Sequence, residues 1–495
     1  MKNVKKIVTV LLAALICFGL SSPLIFALTE SETTPEITKL YCVSGGIKIT
    51  WNKIHEAKSY TVYRWCDGAV ECEKIKTLDK NKSSYSDRGL VSGTKYHYTV
   101  AAETGKKTVF SRIASFTYLS APEKVSAKMT SKGIYIKWSR VKGATGYNIY
   151  RKTGDGEFKK ICALTGTKKL SCTDKKAKNC VKYTYTVRAV NGSSKSAYAL
   201  AQPSAVRIKT PVLVSAKNSP DGVTVKWKKS TAPDSYEIYR KAGGEWKKAG
   251  TVSSRKTTFI DKKASYGKNC TYKVRAVCGG EKGYCSSKKS VRALDPKKPA
   301  IALTFDDGPY SPVTNQILDS LEKYGGKATF FVVGSRVETY KDCVKREAAL
   351  GCEVGCHTFN HAILTRLSPS EINKEISSAV KITEKYSGKK IRVVRAPGGA
   401  VNSTVLKSVK YPLVNWSVDT LDWQHRTTEI TVSNVKKYAK DGAIVLMHDR
   451  YFPTGNAAVE LIPWLTGKGY QLVTVSELFE LKGINATKGN LYTHG

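Results

Sequence analysis

Two aspartates stand side by side in Ala302-Leu303-Thr304-Phe305-Asp306-Asp307-Gly308-Pro309, and further along the chain comes His357-Thr358-Phe359-Asn360-His361. The apolar run predicts a buried strand that ends in two carboxylates at a Gly-Pro turn. Two imidazoles four positions apart share a face if their segment is helical, close enough to hold one ion. One carboxylate with two imidazoles leaves coordination positions open, as hydrolytic zinc sites do. The second carboxylate is then free to act as a base toward the attacking water. Taken alone, each half has a plainer reading: a solvated Asp-Asp turn, or a histidine pair on a helix surface.

Elements that would position these groups follow from the pattern after Ala300. Strand-like runs at 301–305, 328–333, 443–447 and 471–475 alternate with helical stretches at 314–324 and 369–386. Such alternation predicts parallel strands closed, or nearly closed, into a barrel. Sites in such folds gather at the C-terminal ends of the strands, where Asp306, Asp307 and His448 fall.

Five motifs now stand in order: Thr304-Phe305-Asp306-Asp307-Gly308-Pro309, His357-Thr358-x-x-His361, Arg395-x-Pro397-x-Gly399, Asp419-x-x-Asp422-Trp423 and Leu446-x-His448. Together they resemble the polysaccharide deacetylase family, metal-dependent carbohydrate esterases with a distorted (β/α) barrel. The resemblance covers about 300–482. It implies that Asp307, His357 and His361 hold a divalent metal, zinc first, with cobalt or nickel as substitutes. Asp306 would be the catalytic base, and Arg395 would pair with it and hold its orientation. A backbone N–H near Gly398 would stabilise the oxyanion. His448 would protonate the leaving amine, oriented by Asp422. Trp423 and Leu446 would wall a small slot for the acetyl methyl, and Asp419 receives no chemistry. Gly398 departs from the family pattern, which usually carries an aromatic residue there. Cys356 directly precedes His357, and the neighbouring position on a helix would aim it away from the metal.

Before this region the chain repeats itself. Gly46-Ile47-Lys48-Ile49-Thr50-Trp51 recurs as Gly133-Ile134-Tyr135-Ile136-Lys137-Trp138 and as Gly222-Val223-Thr224-Val225-Lys226-Trp227. Each Trp is followed by Tyr-x-x-Tyr-Arg ending at Arg64, Arg151 and Arg240, and then by Tyr-x-Val ending at Val100, Val187 and Val274. Alternating β-branched, aromatic and polar residues predict short strands with one wet face, hence antiparallel sandwiches. The early Trp and late Tyr-x-Tyr-x-Val resemble the fibronectin type III pattern. Tyr96 and Tyr183 would sit at its tyrosine corner, and Cys270 takes that place in the third repeat. The Trp residues are expected in the cores.

The expected organisation is therefore multidomain: three all-β immunoglobulin/fibronectin type III-like sandwiches at 35–119, 120–210 and 211–294, then a catalytic domain at 297–482 and a polar tail at 483–495. An export signal is expected at 1–27, with Lys2, Lys5 and Lys6 before an apolar stretch; a membrane partner is expected only if that segment stays uncleaved.

The 495 residues carry a formal charge of +42, most of it before Lys297. On an exported chain this suggests attraction of the basic repeats to an anionic cell-wall polymer, and the lack of any nucleic-acid motif argues against nucleic acid. Thirteen cysteines invite disulfides, with Cys66–Cys72, Cys162–Cys172 and Cys278–Cys285 as candidate hairpin staples.

The sequence thus reads as an exported or wall-associated enzyme that removes acetyl groups from an acetylated polysaccharide, peptidoglycan N-acetylglucosamine first and N-acetylmuramic acid second. Alternatives are a chitin-oligomer or exopolysaccharide deacetylase, an acetylxylan esterase, and a wall-binding protein with a dead barrel.

Overall fold

A computed structural model describes residues 34–495. The expected export signal and Cys17 lie outside the described residues. Among the described residues no helix is long and apolar enough to cross a membrane.

Each repeat is built from two antiparallel sheets. In the first, Ile37–Val43, Gly46–Trp51 and Ser84–Arg88 form a three-stranded sheet, with Gly46–Trp51 central. Ser59–Cys66 lies between Glu73–Asp79 and Lys95–Glu103 in the other sheet. The second and third repeats follow the same strand plan. The alternation read from sequence has the expected cause: Ile47, Ile49 and Trp51 point inward, as do Ile134, Ile136 and Trp138, and Val223, Val225 and Trp227. Each Trp packs at a tilt on the first Tyr of the next strand, with ring centroids 5.7, 5.4 and 5.3 Å apart. The Tyr96 hydroxyl accepts from Val91 N at 3.0 Å, and that of Tyr183 accepts from Lys178 N at 3.4 Å. Cys270 instead turns its thiol to the Ser265 carbonyl at 3.8 Å, five positions back as in the other two.

A second buried device recurs. Arg64 and Tyr98 both donate to Asp87, Arg151 and Tyr185 to Asp174, and Arg240 and Tyr272 to Asp261, at 2.6–3.0 Å. Each Asp is buried and each is held by two donors from the opposite sheet. Removing it strands a guanidinium and a buried hydroxyl at once. Asp174→Ala is therefore expected to destabilise the second repeat by about 3 kcal/mol, read as an earlier transition in urea unfolding followed by tryptophan fluorescence.

The cysteine expectation needs correction. Among the described residues the one disulfide joins Cys180 to Cys278, so it links the second and third repeats rather than closing a hairpin. Cys285 is thereby left without Cys278 and is free. Cys66 and Cys72 are also free, because they lie beyond the last Arg64–Glu73 rung of their hairpin. Cys162 and Cys172 are free on strands of different sheets.

From Ala300 the strands are parallel. Ala300–Asp306, wholly buried, lies between Thr329–Val332 and Ile444–His448. Glu353–Cys356 follows on one side and Val418–Asp419 on the other. Single bridges carry the pairing on from Cys356 to Val394 and from Val394 to Leu413. The segment 413–419 thus bonds Val394 at one end and Ile444 at the other, through Ser417 N.

Helices cover this sheet. Ser311–Tyr324 starts at a proline and stops at Gly325, whose φ of 67° suits glycine. Pro369–Ser387 opens on a capping box of Ser368 and Glu371 and buries Ile372, Ile376, Ala379, Val380 and Thr383 along one face.

Two stretches carry more structure than their composition suggested. The polar tail contributes the strand Leu491–Tyr492, which pairs in parallel with Leu413–Val414; two apolar residues after a Gly-Asn turn suffice for so short an edge. The segment around Asp295-Pro296 is tied down as well. Arg292 makes a two-pronged pair with Glu477 at 3.1 and 2.7 Å, and Asn218 bonds Arg292 O and Leu294 N at 3.1 and 3.0 Å. The third repeat is therefore held to the Val475–Lys482 helix by side chains as well as by the chain.

Candidate active site

Asp306 and His448 end adjacent parallel strands and stand in register with each other. His357 follows the end of the Glu353–Cys356 strand, and Arg395 follows the Val394 bridge. The fold thus gathers these groups at one end of the sheet, where unpaired strand ends leave room for chemistry.

Asp307, His357 and His361 bring one donor atom each within 4.8 Å of one another. The histidines are not on a helix, contrary to the expectation from their spacing. They sit in a loop where Thr358 and His361 take left-handed φ values of 62° and 59°, and Asp307 does the same at 70°. These three unusual backbone conformations turn the side chains toward one point, the kind of local strain that functional sites hold.

His357 Nδ1 donates to the Arg395 carbonyl at 2.9 Å, which fixes the tautomer and leaves Nε2 bare. Asp307 Oδ1 lies 3.6 Å from His357 Nε2 and 3.0 Å from His361 Nε2, yet it is a buried oxygen with no hydrogen-bond partner. A buried acceptor with no donor beside two ring nitrogens fits a cation, not a hydrogen-bond network. The donor set N, N, O suits a divalent transition metal.

Charges follow the same logic. Burial pushes the Asp307 carboxyl up, but the imidazoles of His361, His357 and His448 outweigh it and hold the group well below the carboxylate range. Burial pushes His357 down, which keeps the ring neutral and able to ligate. His361, half open to solvent, is pushed up by its contact with Asp307.

Asp306 is held apart from this trio by Arg395. The guanidinium is fully buried and donates to Asp306 Oδ1 at 2.7 Å, Thr304 Oγ1 at 2.7 Å, Val414 O at 2.9 Å and Asn415 O at 3.0 Å. It also stacks 4.2 Å over the Phe331 ring. Asp306 Oδ2 remains directed to the site, 3.8 Å from His357 Nε2. A carboxylate oriented by a fixed cation, with one oxygen free, can accept a proton from a water in the site.

His448 Nδ1 pairs with Asp422 Oδ1 at 2.8 Å, and the His448 backbone N donates to Asp422 Oδ2 at 2.8 Å. Thr454 Oγ1 donates to the same oxygen at 2.7 Å, so Asp422 is locked. Burial works against the charged ring, but the Asp422 contact outweighs it and His448 is pushed up to about 9.

Trp423 is 47% exposed on the short Asp422–His425 helix, and Leu446 is buried in its strand. Gly398 is exposed at a φ of 65°, with only Ile363 Cδ1 near its absent Cβ. Asp419 accepts from the Leu421 N–H at 2.8 Å. Cys356 is fully buried with its thiol pushed up to about 12 by desolvation, which keeps it an inert thiol beside the site.

Sequence reasoning missed Asp449. It is buried, accepts from Thr314 Oγ1 at 2.5 Å, and its backbone N donates to Asp306 O at 3.2 Å. It also explains Gly308, because a Cβ there would stand 2.2 Å from Asp449 Oδ1. Its position next to His448 was the one available signal.

Comparison with known proteins gives a family match and several relatives. The family model described as polysaccharide deacetylase matches residues 293–412. A peptidoglycan-N-acetylmuramic acid deacetylase of Bacillus subtilis is 48% identical over 38% of this chain and 40% of its own length. A peptidoglycan-N-acetylglucosamine deacetylase of Listeria monocytogenes is 42% identical over 36% of this chain and 38% of its own length. This chain thus spans about two fifths of the length of these relatives. A peptidoglycan-N-acetylglucosamine deacetylase of Bacillus cereus is 40% identical over 37% of this chain and 89% of its own length. Among solved structures, the peptidoglycan deacetylase of Bacillus subtilis is 47% identical, covering 38% of this chain and 93% of that one, with a TM-score of 0.38.

Proposed function

Because this chain belongs to the polysaccharide deacetylase family, we propose that it hydrolyses N-acetyl groups on the amino sugars of peptidoglycan to a free amine and acetate. The observation that carries the reading is the division of labour between neighbouring aspartates. Asp307 converges with His357 and His361, while Arg395 holds Asp306 aside with one oxygen free.

Asp307, His357 and His361 would hold a divalent cation, zinc first. When bound it would supply Lewis acidity toward the acetyl carbonyl and acidify water. Asp306 takes the proton of the attacking water, and Arg395 keeps its carboxylate in line. A backbone N–H near Gly398 faces the developing oxyanion. His448, charged through its contact with Asp422, delivers a proton to the departing amine nitrogen. Trp423 and Leu446 flank the acetyl methyl. Relatives named for N-acetylglucosamine and for N-acetylmuramic acid support an amide substrate in the wall.

Paired three- and five-stranded sheets with an i−5 tyrosine contact support fibronectin type III-like modules, and the near-closed parallel ring supports a distorted (β/α) barrel. The basic repeats would attract an anionic wall polymer, in keeping with an exported enzyme.

The test is acetate release and mass-spectrometric detection of new amines, with defined metals, on peptidoglycan, chitin oligomers and O-acetyl xylan. Amines on peptidoglycan are the expected product. Acetate from O-acetyl xylan alone would reject the amide assignment. Equal background from the native chain and Asp306→Asn would instead favour a non-catalytic wall binder.

A further inference from the structure

Two residues past His448, at the mouth of the site, stands an arginine that none of the chemistry above uses. Arg450 Nη1 lies 3.7 Å from Asp307 Oδ2, its side chain is about half exposed, and its guanidinium makes no hydrogen bond among the described residues. Its backbone is fixed. Asp449 before it is anchored to Thr314 and to Asp306 O, and the Phe452–Gly467 helix starts just after it.

The Tyr451 ring stands between the acid and a second cation. It is 6.0 Å from the His448 ring, 5.5 Å from the Arg450 guanidinium and 3.6 Å from that of Arg426. Arg426 is held by its Nε bond to the Trp423 carbonyl at 2.8 Å and leaves its terminal nitrogens free. The rim beside the acid and the metal trio thus carries two guanidiniums around one aromatic ring.

A positive group here opposes the site's own purpose. It stands beside a cation-binding trio, 3.7 Å from the second oxygen of Asp307. A guanidinium near a divalent cation weakens that cation's binding through like-charge repulsion. Its use must come from an anion on the other reactant. The acetamido carbonyl is neutral, so the anion lies elsewhere on the sugar, within reach of a site that holds the acetamido group between Asp307 and His448. On peptidoglycan the group that meets this condition is the carboxylate of the lactyl ether borne by the carbon next to the acetamido carbon, where no peptide is joined to it. A planar guanidinium matches a carboxylate with two parallel hydrogen bonds.

We propose that Arg450, assisted by Arg426 across Tyr451, is a specificity-determining residue that binds the free lactyl carboxylate of an N-acetylmuramic acid residue while its acetamido group is in the site. This rests on the deacetylase reading above and narrows its substrate.

The experiment uses the full chain loaded with zinc and three oligomers. One carries muramic residues with free carboxylates, one carries the same residues with the carboxylate converted to an amide, and one is a neutral N-acetylglucosamine oligomer. Arg450→Gln should raise KM about tenfold or more on the free carboxylate oligomer with kcat nearly unchanged. It should leave the other two oligomers unaffected, and Arg450→Lys should recover part of the loss. Zinc affinity, measured by competition with a chelator, should not fall. An equal loss on all three oligomers, a weakened zinc affinity, or no change in KM would overturn the proposal; the first two would make Arg450 a support for Asp307. Should the native chain release no acetate from any oligomer, the deacetylase reading falls by itself. Calorimetric binding of the oligomers to the Asp306→Asn chain then still decides the role of Arg450: a tenfold loss confined to the free carboxylate oligomer on adding Arg450→Gln upholds it, and equal binding overturns it.

Discussion

Asp306→Asn is expected to lower acetate release by about a thousandfold while the protein still binds its cation. The substitution keeps size and shape. An asparagine can still accept a hydrogen bond from Arg395, so Thr304, Val414 and Asn415 keep their contacts with the guanidinium. What is lost is the ability to take a proton. Asp307, His357 and His361 are untouched, so zinc binding, read by calorimetry or chelator competition, should stay within a few-fold of the native value. His357→Ala separates the two roles from the other side. It removes a ring whose Nδ1 is anchored at 2.9 Å on the Arg395 carbonyl, and with it one of three donors. Activity and cation binding should then fall together. If Asp306→Asn also lost its cation, Asp306 would be a ligand and the base would have to be sought elsewhere. If it stayed active, Asp306 would leave the mechanism altogether.

Most of this centre was legible in the sequence, for a definite reason. Asp306 and His448 each end an apolar strand run, and the parallel pairing of those strands brings the two ends into register. Asp307, His357, His361, Arg395 and Asp422 followed from motif order. The loop around the histidines was misread because a spacing of four is helical only if the backbone is; left-handed Thr358 and His361 reach the same convergence without a helix. Local pattern gives no access to partners that meet from distant strands. Asp87, Asp174 and Asp261 look like ordinary strand-end acids, and only the packing of two sheets brings an arginine and a tyrosine onto each. The same limit hid Asp449, whose role depends on Thr314 and Gly308, and it hid the choice of Cys180 over Cys285 as the partner of Cys278. In the repeats, by contrast, the period-two pattern was enough to identify the buried Trp51, Trp138 and Trp227.

Asp422→Asn should move the alkaline limb of the kcat/KM profile by about two pH units toward acid, and lower the rate at neutral pH. His448 must be protonated to deliver its proton to the leaving amine. In the native chain burial opposes that charge, but Asp422 outweighs it and the ring is pushed up to about 9, so activity persists until the pH rises through that value. The substituted amide keeps the size of the carboxylate and one acceptor oxygen for the ring, yet it carries no charge and gives up the second acceptor that the His448 N–H and the Thr454 hydroxyl share. Burial then meets only the weaker pull of Asp306 and Asp307, and the ring falls back toward the ordinary imidazole value. The limb should fall accordingly near pH 7, where the native enzyme is fully protonated. Stability follows the same sign. A histidine raised in the folded state contributes stability that is complete below its unfolded value and is lost as the pH rises through about 9, so the native chain should lose its advantage over the variant across that window. A limb that did not move, with the rate merely scaled down, would assign the alkaline ionisation to another group and reduce Asp422 to holding the ring in place.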